Sequence, residues 1–445
     1  MSDDWRKMTA LALGEGIETG RIDPRDLTET FLAAASTHPE RDRIFTKLTP
    51  ERARAEAEAA RARARNGVRR HPLDGVPISW KDLCDSAGDV TGAGSAMLAD
   101  RAPAAADCTA LARATRAGMV CIGKTHMTEL AFSGLGLNPV TATPPNRHDP
   151  DWAPGGSSSG AGAAVAHGLS PASIGSDTGG SVRIPAGWQD LVGLKTTLGL
   201  APVDGTTPLA AWFDTLGPLC TSVADAAAIT SVMASTPLPD LGGASLSGVR
   251  LLVEEETMLA DAEDEVRSAF EAGIEAMRAA GATVVRAPIP EFGEALALSL
   301  ALVVGEAWAE WGHLIEERGD LMFHQVRRRF ESGRNVSARD YIQARRKIED
   351  VRARYLARTA GFDAVAAPTT PIRPPSVSRL LTDAAYFERI NLIALRNTRI
   401  GNLLGLCALT LPTPTPACGF MLMAKPFDEG RLCRVGAAAE RALAA

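Results

Sequence analysis

The chain has 445 residues, of which 45% are hydrophobic, 5% aromatic and 22% charged, with a formal net charge of −6. That length allows one large domain or two to three ordinary ones, and the apolar content supplies a sizeable core. The acidic balance argues against a general nucleic-acid binder, which needs a basic face. Seven scattered cysteines with no C-x-x-C pair argue against a zinc ribbon and read as reduced thiols in a cytosol-like compartment. The acidic N-terminus has no apolar leader and no window approaches 18 uncharged apolar residues, so the sequence points to a soluble, cytoplasmic protein without a membrane span.

In chain order, residues 25–36 and 49–66 have helical spacing, which makes the segment of about 1–66 helical. The second helix starts at Thr49-Pro50 with Glu51 next, and ends in the basic run Arg61, Arg63 and Arg65. Those cations suit the C-terminal end of a helix dipole and a solvated face better than a phosphate patch. Beyond this point strands alternate with helices. Strands are predicted at Val76–Ser79, Met119–Gly123, Val249–Val253, Thr283–Ala287, Ala364–Ala367, Ala408–Leu411 and Phe420–Met423. Helices are predicted around Thr109–Ala117, from near Ser158, and over 222–234, 263–280, 296–316, 337–360, 385–404 and 428–443. The alternation argues for α/β layers. Pro139–Pro154 and Pro237–Gly248 are turn-rich, but neither is long enough for a flexible linker, so one continuous domain over 1–445 is expected.

Two serine-glycine runs stand out, Gly155-Gly156-Ser157-Ser158-Ser159-Gly160 and Gly175-Ser176-Asp177-Thr178-Gly179-Gly180-Ser181. The first contains G-x-S-x-G centred on Ser158, the pattern of a nucleophile elbow. That motif needs an apolar strand before it and an acid and a histidine after it. The preceding residues His148–Pro154 read as a turn, and His167, His313 and His324 have no catalytic context. Gly118-Met119-Val120-Cys121-Ile122-Gly123-Lys124-Thr125 matches a P-loop formally, yet its inner residues are wholly apolar and read as a buried strand.

Asp177–Ser181 reads instead as a tight turn whose successive N–H groups converge on one oxygen, as an oxyanion hole requires. A serine hydroxyl is a weak nucleophile without a base. Lys81, in Val76-Pro77-Ile78-Ser79-Trp80-Lys81, is the one evident amine, and burial among apolar neighbours would depress its pKa enough for the task. The competing reading is a Lys81–Asp82 surface turn beside a glycine loop without chemistry.

The chain resembles the amidase signature family. The resemblance is carried by Gly75-Val76-Pro77-Ile78-Ser79-Trp80-Lys81-Asp82-Leu83, by Pro154–Gly160 and by Gly175–Ala186, and continues in outline through Val192–Lys195, Ala367-Pro368-Thr369 and Asn397–Leu403. It implies a single large α/β domain with a mixed central β-sheet covered by helices on both faces. It further implies a Ser–cis-Ser–Lys triad of Ser181 as nucleophile, Ser157 as proton bridge after a cis Gly156–Ser157 bond, and Lys81 as base. Thr178, Gly179, Gly180 and Ser181 would supply the oxyanion hole. Ala131, Phe132 and Ser133 would line the substrate pocket. Ser158 and Ser159 would be structural, one of them capping the next helix. The implied activity is hydrolysis of a small linear amide, without metal or other cofactor, with a homodimer left open. A glutamine-hydrolysing subunit of a tRNA-dependent amidotransferase, an allophanate or urea-derivative hydrolase, and an inactive binding member remain as alternatives. Trp188-Gln189-Asp190, Lys195-Thr196-Thr197 and the compressed Thr413–Gly419 segment depart from the common pattern.

Overall fold

In the computed structural model of the chain, residues 2–444 are described, so the expected domain's end residues Met1 and Ala445 lie outside the described residues. Eleven strands form one sheet: β1 (Phe45–Leu48), β2 (Pro77–Lys81), β3 (Val120–Thr125), β4 (Ala172–Ser176), β5 (Val192–Lys195), β6 (Leu216–Cys220), β7 (Arg250–Val253), β8 (Thr283–Arg286), β9 (Ala364–Pro368), β10 (Cys407–Pro412) and β11 (Gly419–Ala424). Their order is β1-β3-β2-β4-β6-β5-β10-β11-β9-β7-β8. β3-β2-β4 at one side and β9-β7-β8 at the other are parallel arms. An antiparallel centre joins them. The mixed sheet flanked by helices is the expected architecture. The helices Ser159–Ala166 and Arg183–Trp188 pack beside each other on β4, β5 and β10, while Val223–Ala234 and Glu429–Ala444 pack together on β6 and β10.

All seven predicted strands form, but four more, β1, β4, β5 and β6, do not follow from the pattern. β4, β5 and β6 are buried at every position, so the polar–apolar alternation of a half-exposed strand is missing. β6 also carries Pro218, which normally excludes a central strand. It is tolerated because β5 pairs with β6 only through Val192 and Gly193, beyond the proline. β1 corrects the N-terminal segment: it is not helical throughout, since Phe45–Leu48 pairs antiparallel with β3 at the sheet edge.

The helices Pro24–Thr37 and Pro50–Arg65 fall where expected. The basic end of the second is less solvated than its pattern implies, because Arg63 grips the fully buried Asp74 at 2.6 and 2.8 Å and Arg61 pairs with Asp23 at 2.8 Å. The formal P-loop is a helix C-cap at Gly118 leading directly into β3. The predicted helix 296–316 is three pieces, Glu291–Ala297, a π-helical turn Leu300–Val304 and Gly305–Arg318. The run Glu291–Leu321 is long and apolar enough to cross a membrane by length and composition. Here Phe292, Ala295, Leu302, Ala307, Trp311 and Ile315 are buried in the main core.

Candidate active site

β2 and β4 are parallel neighbours, so their C-terminal ends open on the same edge, where α/β sheets place their ligands. Lys81 ends β2 and Ser176 ends β4. Lys81 is fully buried, and its Nζ donates to Ser157 Oγ at 2.7 Å and to Ser176 Oγ at 2.8 Å. Among the described residues it forms no ion pair. Burial pushes its pKa down to about 7, with Cys84, Asp177 and Asp214 opposing the shift. The surface-turn reading is thereby excluded: Asp82 is also buried and pairs with Lys124 Nζ at 3.2 Å, not with Lys81.

Ser157 enters through a cis peptide bond from Gly156, and its hydroxyl is the acceptor that holds Lys81. The next residue links the two serine runs, for Ser158 N donates to Ser181 O at 3.2 Å. The eye-catching Ser158 sits at the N-cap position of helix Ser159–Ala166, yet its hydroxyl makes no capping bond. It donates to Ser176 O at 3.2 Å and accepts from Ser176 N at 3.3 Å, pinning the end of β4 to the first run. Ser159 Oγ is buried without a partner. The expected serine cap on this helix is therefore absent, because the hydroxyl that could supply it closes a tertiary contact instead.

The second run is held by Asp177. Its carboxylate accepts from Gly180 N (2.8 Å), Val182 N (3.1 Å), Arg183 Nε (3.0 Å) and Nη2 (2.9 Å), and Asn402 Nδ2 (2.9 Å). Burial alone would raise its pKa, but the Arg183 guanidinium outweighs it and holds the carboxyl well below its usual range. The cluster corrects one expected oxyanion donor. The Gly180 N–H is committed to Asp177, whereas the N–H groups of Thr178, Gly179 and Ser181 have no protein acceptor among the described residues. Only glycine fits at 180: its φ is +134°, and a Cβ there would lie 2.1 Å from Thr398 Oγ1. Thr178 Oγ1 donates to Asp214, whose other oxygen accepts from Leu209 N at 2.8 Å and Ala210 N at 3.1 Å.

The Ser181 hydroxyl makes no hydrogen bond among the described residues and faces a cavity lined by Ala131, Phe132, Ser133, Thr178, Gly179, Leu209, Val303, Leu395, Arg329 and Arg399. The structure thus gathers Ala131, Phe132 and Ser133 around the same space as Ser181. Leu130 and Ala131 both have positive φ (45° and 59°), a strained pair of which Ala131 lies at the cavity wall. Sequence reasoning missed Ser176, Asp214, Arg329 and Arg399, and gave no role to Asp177, Arg183 or Asn402. A buried Asp–Arg pair six residues apart within the glycine run was a signal available for the clamp. No histidine enters the cavity. His167 ends its helix with burial pressing its pKa down to about 4, and His313 is exposed beside Glu317.

The mixed sheet thus brings a buried lysine and two serine-bearing loops together at its strand ends. The chain belongs to the amidase family, whose model, described as Amidase, matches residues 26–433. It is 33% identical over 440 residues to 2-amino-5-chloromuconic acid deaminase of Comamonas testosteroni, covering 96% of this chain and 95% of that one. It is 32% identical over 481 residues to a glutamyl-tRNA(Gln) amidotransferase subunit of Chloroflexus aggregans, covering 98% and 96%. Among solved structures, native peptide amidase from Stenotrophomonas maltophilia matches with a TM-score of 0.82 and 25% identity, covering 98% of this chain and 97% of that one.

Proposed function

We propose that this chain hydrolyses the C–N bond of a linear carboxamide through an acyl-enzyme on Ser181. The observation that carries the reading is Lys81: a fully buried amine, without a carboxylate partner, donating to Ser157 and Ser176. With its pKa near 7, a substantial fraction is neutral at physiological pH and accepts a proton.

Neutral Lys81 takes the proton of Ser157, and Ser157 takes that of Ser181 as its oxygen attacks the amide carbon. The N–H groups of Thr178, Gly179 and Ser181 receive the developing oxyanion, on a loop whose geometry Asp177 and Arg183 fix in advance. The proton returns through Ser157 to the leaving nitrogen, which departs as ammonia or an amine. Water then attacks the acyl-enzyme by the same route and releases the acid. Ammonia release from a panel of primary amides, with intact-mass detection of the acyl adduct, tests the reading. Turnover that persists in Ser181→Ala overturns it.

A second reading is glutamine hydrolysis within a larger assembly, favoured by the 32% identity to the amidotransferase chain over 98% of this one. Co-purification of stoichiometric partner chains with the native protein, and glutamine turnover only in their presence, would select it. A cytoplasmic location and a cofactor-free reaction go with either reading.

A further inference from the structure

Two arginines stand at the wall of the Ser181 cavity without an acid partner. Arg329 lies on the helix His324–Glu331 and Arg399 on the helix Ala384–Leu403. Both line the Ser181 cavity and also an outer cleft of about 520 Å³ that reaches the exposed Leu300 and Leu392. The pair therefore marks the junction between solvent and the reactive serine. Among the described residues neither guanidinium forms an ion pair. The Nε of each is sealed from solvent and donates to nothing. Arg399 Nη1 reaches Ser299 Oγ at 3.4 Å, and Arg329 has only the face of Phe132, 4.5 Å from its ring centre.

Several other wholly or partly buried arginines pair with acids, among them Arg63 with Asp74, Arg52 with Asp107 and Arg183 with Asp177. Both side chains are part-exposed at this junction, with only the Nε atoms sealed, so two like charges share one wall with no protein anion beside them among the described residues. An unsatisfied buried donor costs stability unless a ligand supplies the acceptor. Burial and the neighbouring Arg399 press Arg329 down to about 9, and burial presses Arg399 to about 10, so both stay cationic at neutral pH. Planar guanidinium forks match the geometry of a carboxylate. The wall they share with Ser181 is mostly apolar, with Phe132, Leu209, Val303 and Leu395 beside the polar Ser133 and Thr178, a lining that suits a short hydrocarbon spacer.

We propose that Arg329 and Arg399 form an anion subsite for the substrate's acyl chain, so that the natural substrate is a linear amide carrying a carboxylate and the product is a dicarboxylate. The proposal rests on the amide hydrolysis proposed above.

The test has two arms. In the first, ammonia release is measured for half-amides of straight-chain diacids from malonate to pimelate against neutral primary amides of matched length. The half-amide is expected to win by about a hundredfold or more in kcat/KM. Arg399→Gln and Arg329→Gln should each shrink that ratio at least tenfold, mainly through KM, as loss of a charged hydrogen bond predicts. Arg399→Lys should restore part of it. In the second arm, the diacids are titrated calorimetrically into the Ser181→Ala protein, with and without Arg399→Gln. Binding that disappears with the arginine supports the subsite even if no amide is turned over, an outcome that would sink the hydrolytic reading alone. Equal kcat/KM for neutral and acidic amides, no diacid binding, or binding indifferent to Arg399→Gln overturns the subsite. Should Arg329→Gln fail to fold through loss of its Phe132 contact, Arg399→Gln carries both arms.

Discussion

Asp177 and Arg183, six residues apart, close a bidentate ion pair inside the protein, with Nε to Oδ2 at 3.0 Å, Nη2 to Oδ1 at 2.9 Å and both side chains wholly buried. The same carboxylate holds Gly180 N and Val182 N, so one charge pair sets the curve of the loop that presents Ser181.

Removing one member of this pair strands the other. Arg183→Met is expected to cost about 3–5 kcal/mol of folding stability, measured by urea denaturation, because a buried carboxylate loses its countercharge. Asp177 has a pKa in the fold below its ordinary value of 3.8. Its contribution is therefore complete above that value and is lost as pH falls below it. In Arg183→Met that acid-side loss should flatten.

In the proposed mechanism Lys81 sets the pH profile. The base is active when neutral, and the neutral fraction grows as pH rises through its pKa near 7. A plot of log kcat/KM against pH should climb through an acid limb centred near 7 and level off above it. Asp214 holds the Lys81 pKa up, so Asp214→Asn should move the limb to lower pH. A limb that stays in place would remove Lys81 from the role of base.

Ser181→Ala is expected to abolish turnover and the acyl adduct while leaving the circular dichroism spectrum unchanged. Ser157→Ala should retain the fold and lose on the order of 10²–10⁴ in kcat, the usual range for a positioned proton-transfer group. Ser158→Ala should keep the chemistry and lower stability by about 1 kcal/mol, since its hydroxyl is bonded to the Ser176 backbone. Rapid-quench kinetics and thermal melts separate the three outcomes.

Gly180→Ala places a Cβ at positive φ and 2.1 Å from Thr398 Oγ1. We expect about 1–3 kcal/mol of destabilisation and a larger loss in kcat than in KM, because the loop that carries the proposed oxyanion donors must shift. Thr398→Ala in the same chain relieves the collision but not the backbone strain, so rescue should be partial. Denaturant midpoints and steady-state kinetics of the single and double variants check this.

Much of the fold was legible because local rules act over short distances. The capped helices Ala338–Thr359 and Ala384–Leu403 and the edge of the β10–β11 hairpin lie within a few residues of their sequence signals. β4, β5 and β6 were not legible: strands buried on both faces have no alternation, and Pro218 argues locally against its own strand.

The sequence by itself determined which residues are available for chemistry: a lysine set among apolar residues, glycine-flanked serines 24 positions apart, and no histidine in a catalytic setting. Residue type and short-range spacing carry that information. Tertiary structure alone decided what each residue touches. It gave Lys81 a second hydroxyl from Ser176, turned Gly180 N toward Asp177, brought Asn402 to Asp177 across 225 positions, and left Arg329 and Arg399 on the wall of the Ser181 cavity with no ion pair among the described residues. Those contacts join segments distant in the chain, and their energies depend on burial and on partners that no local pattern specifies.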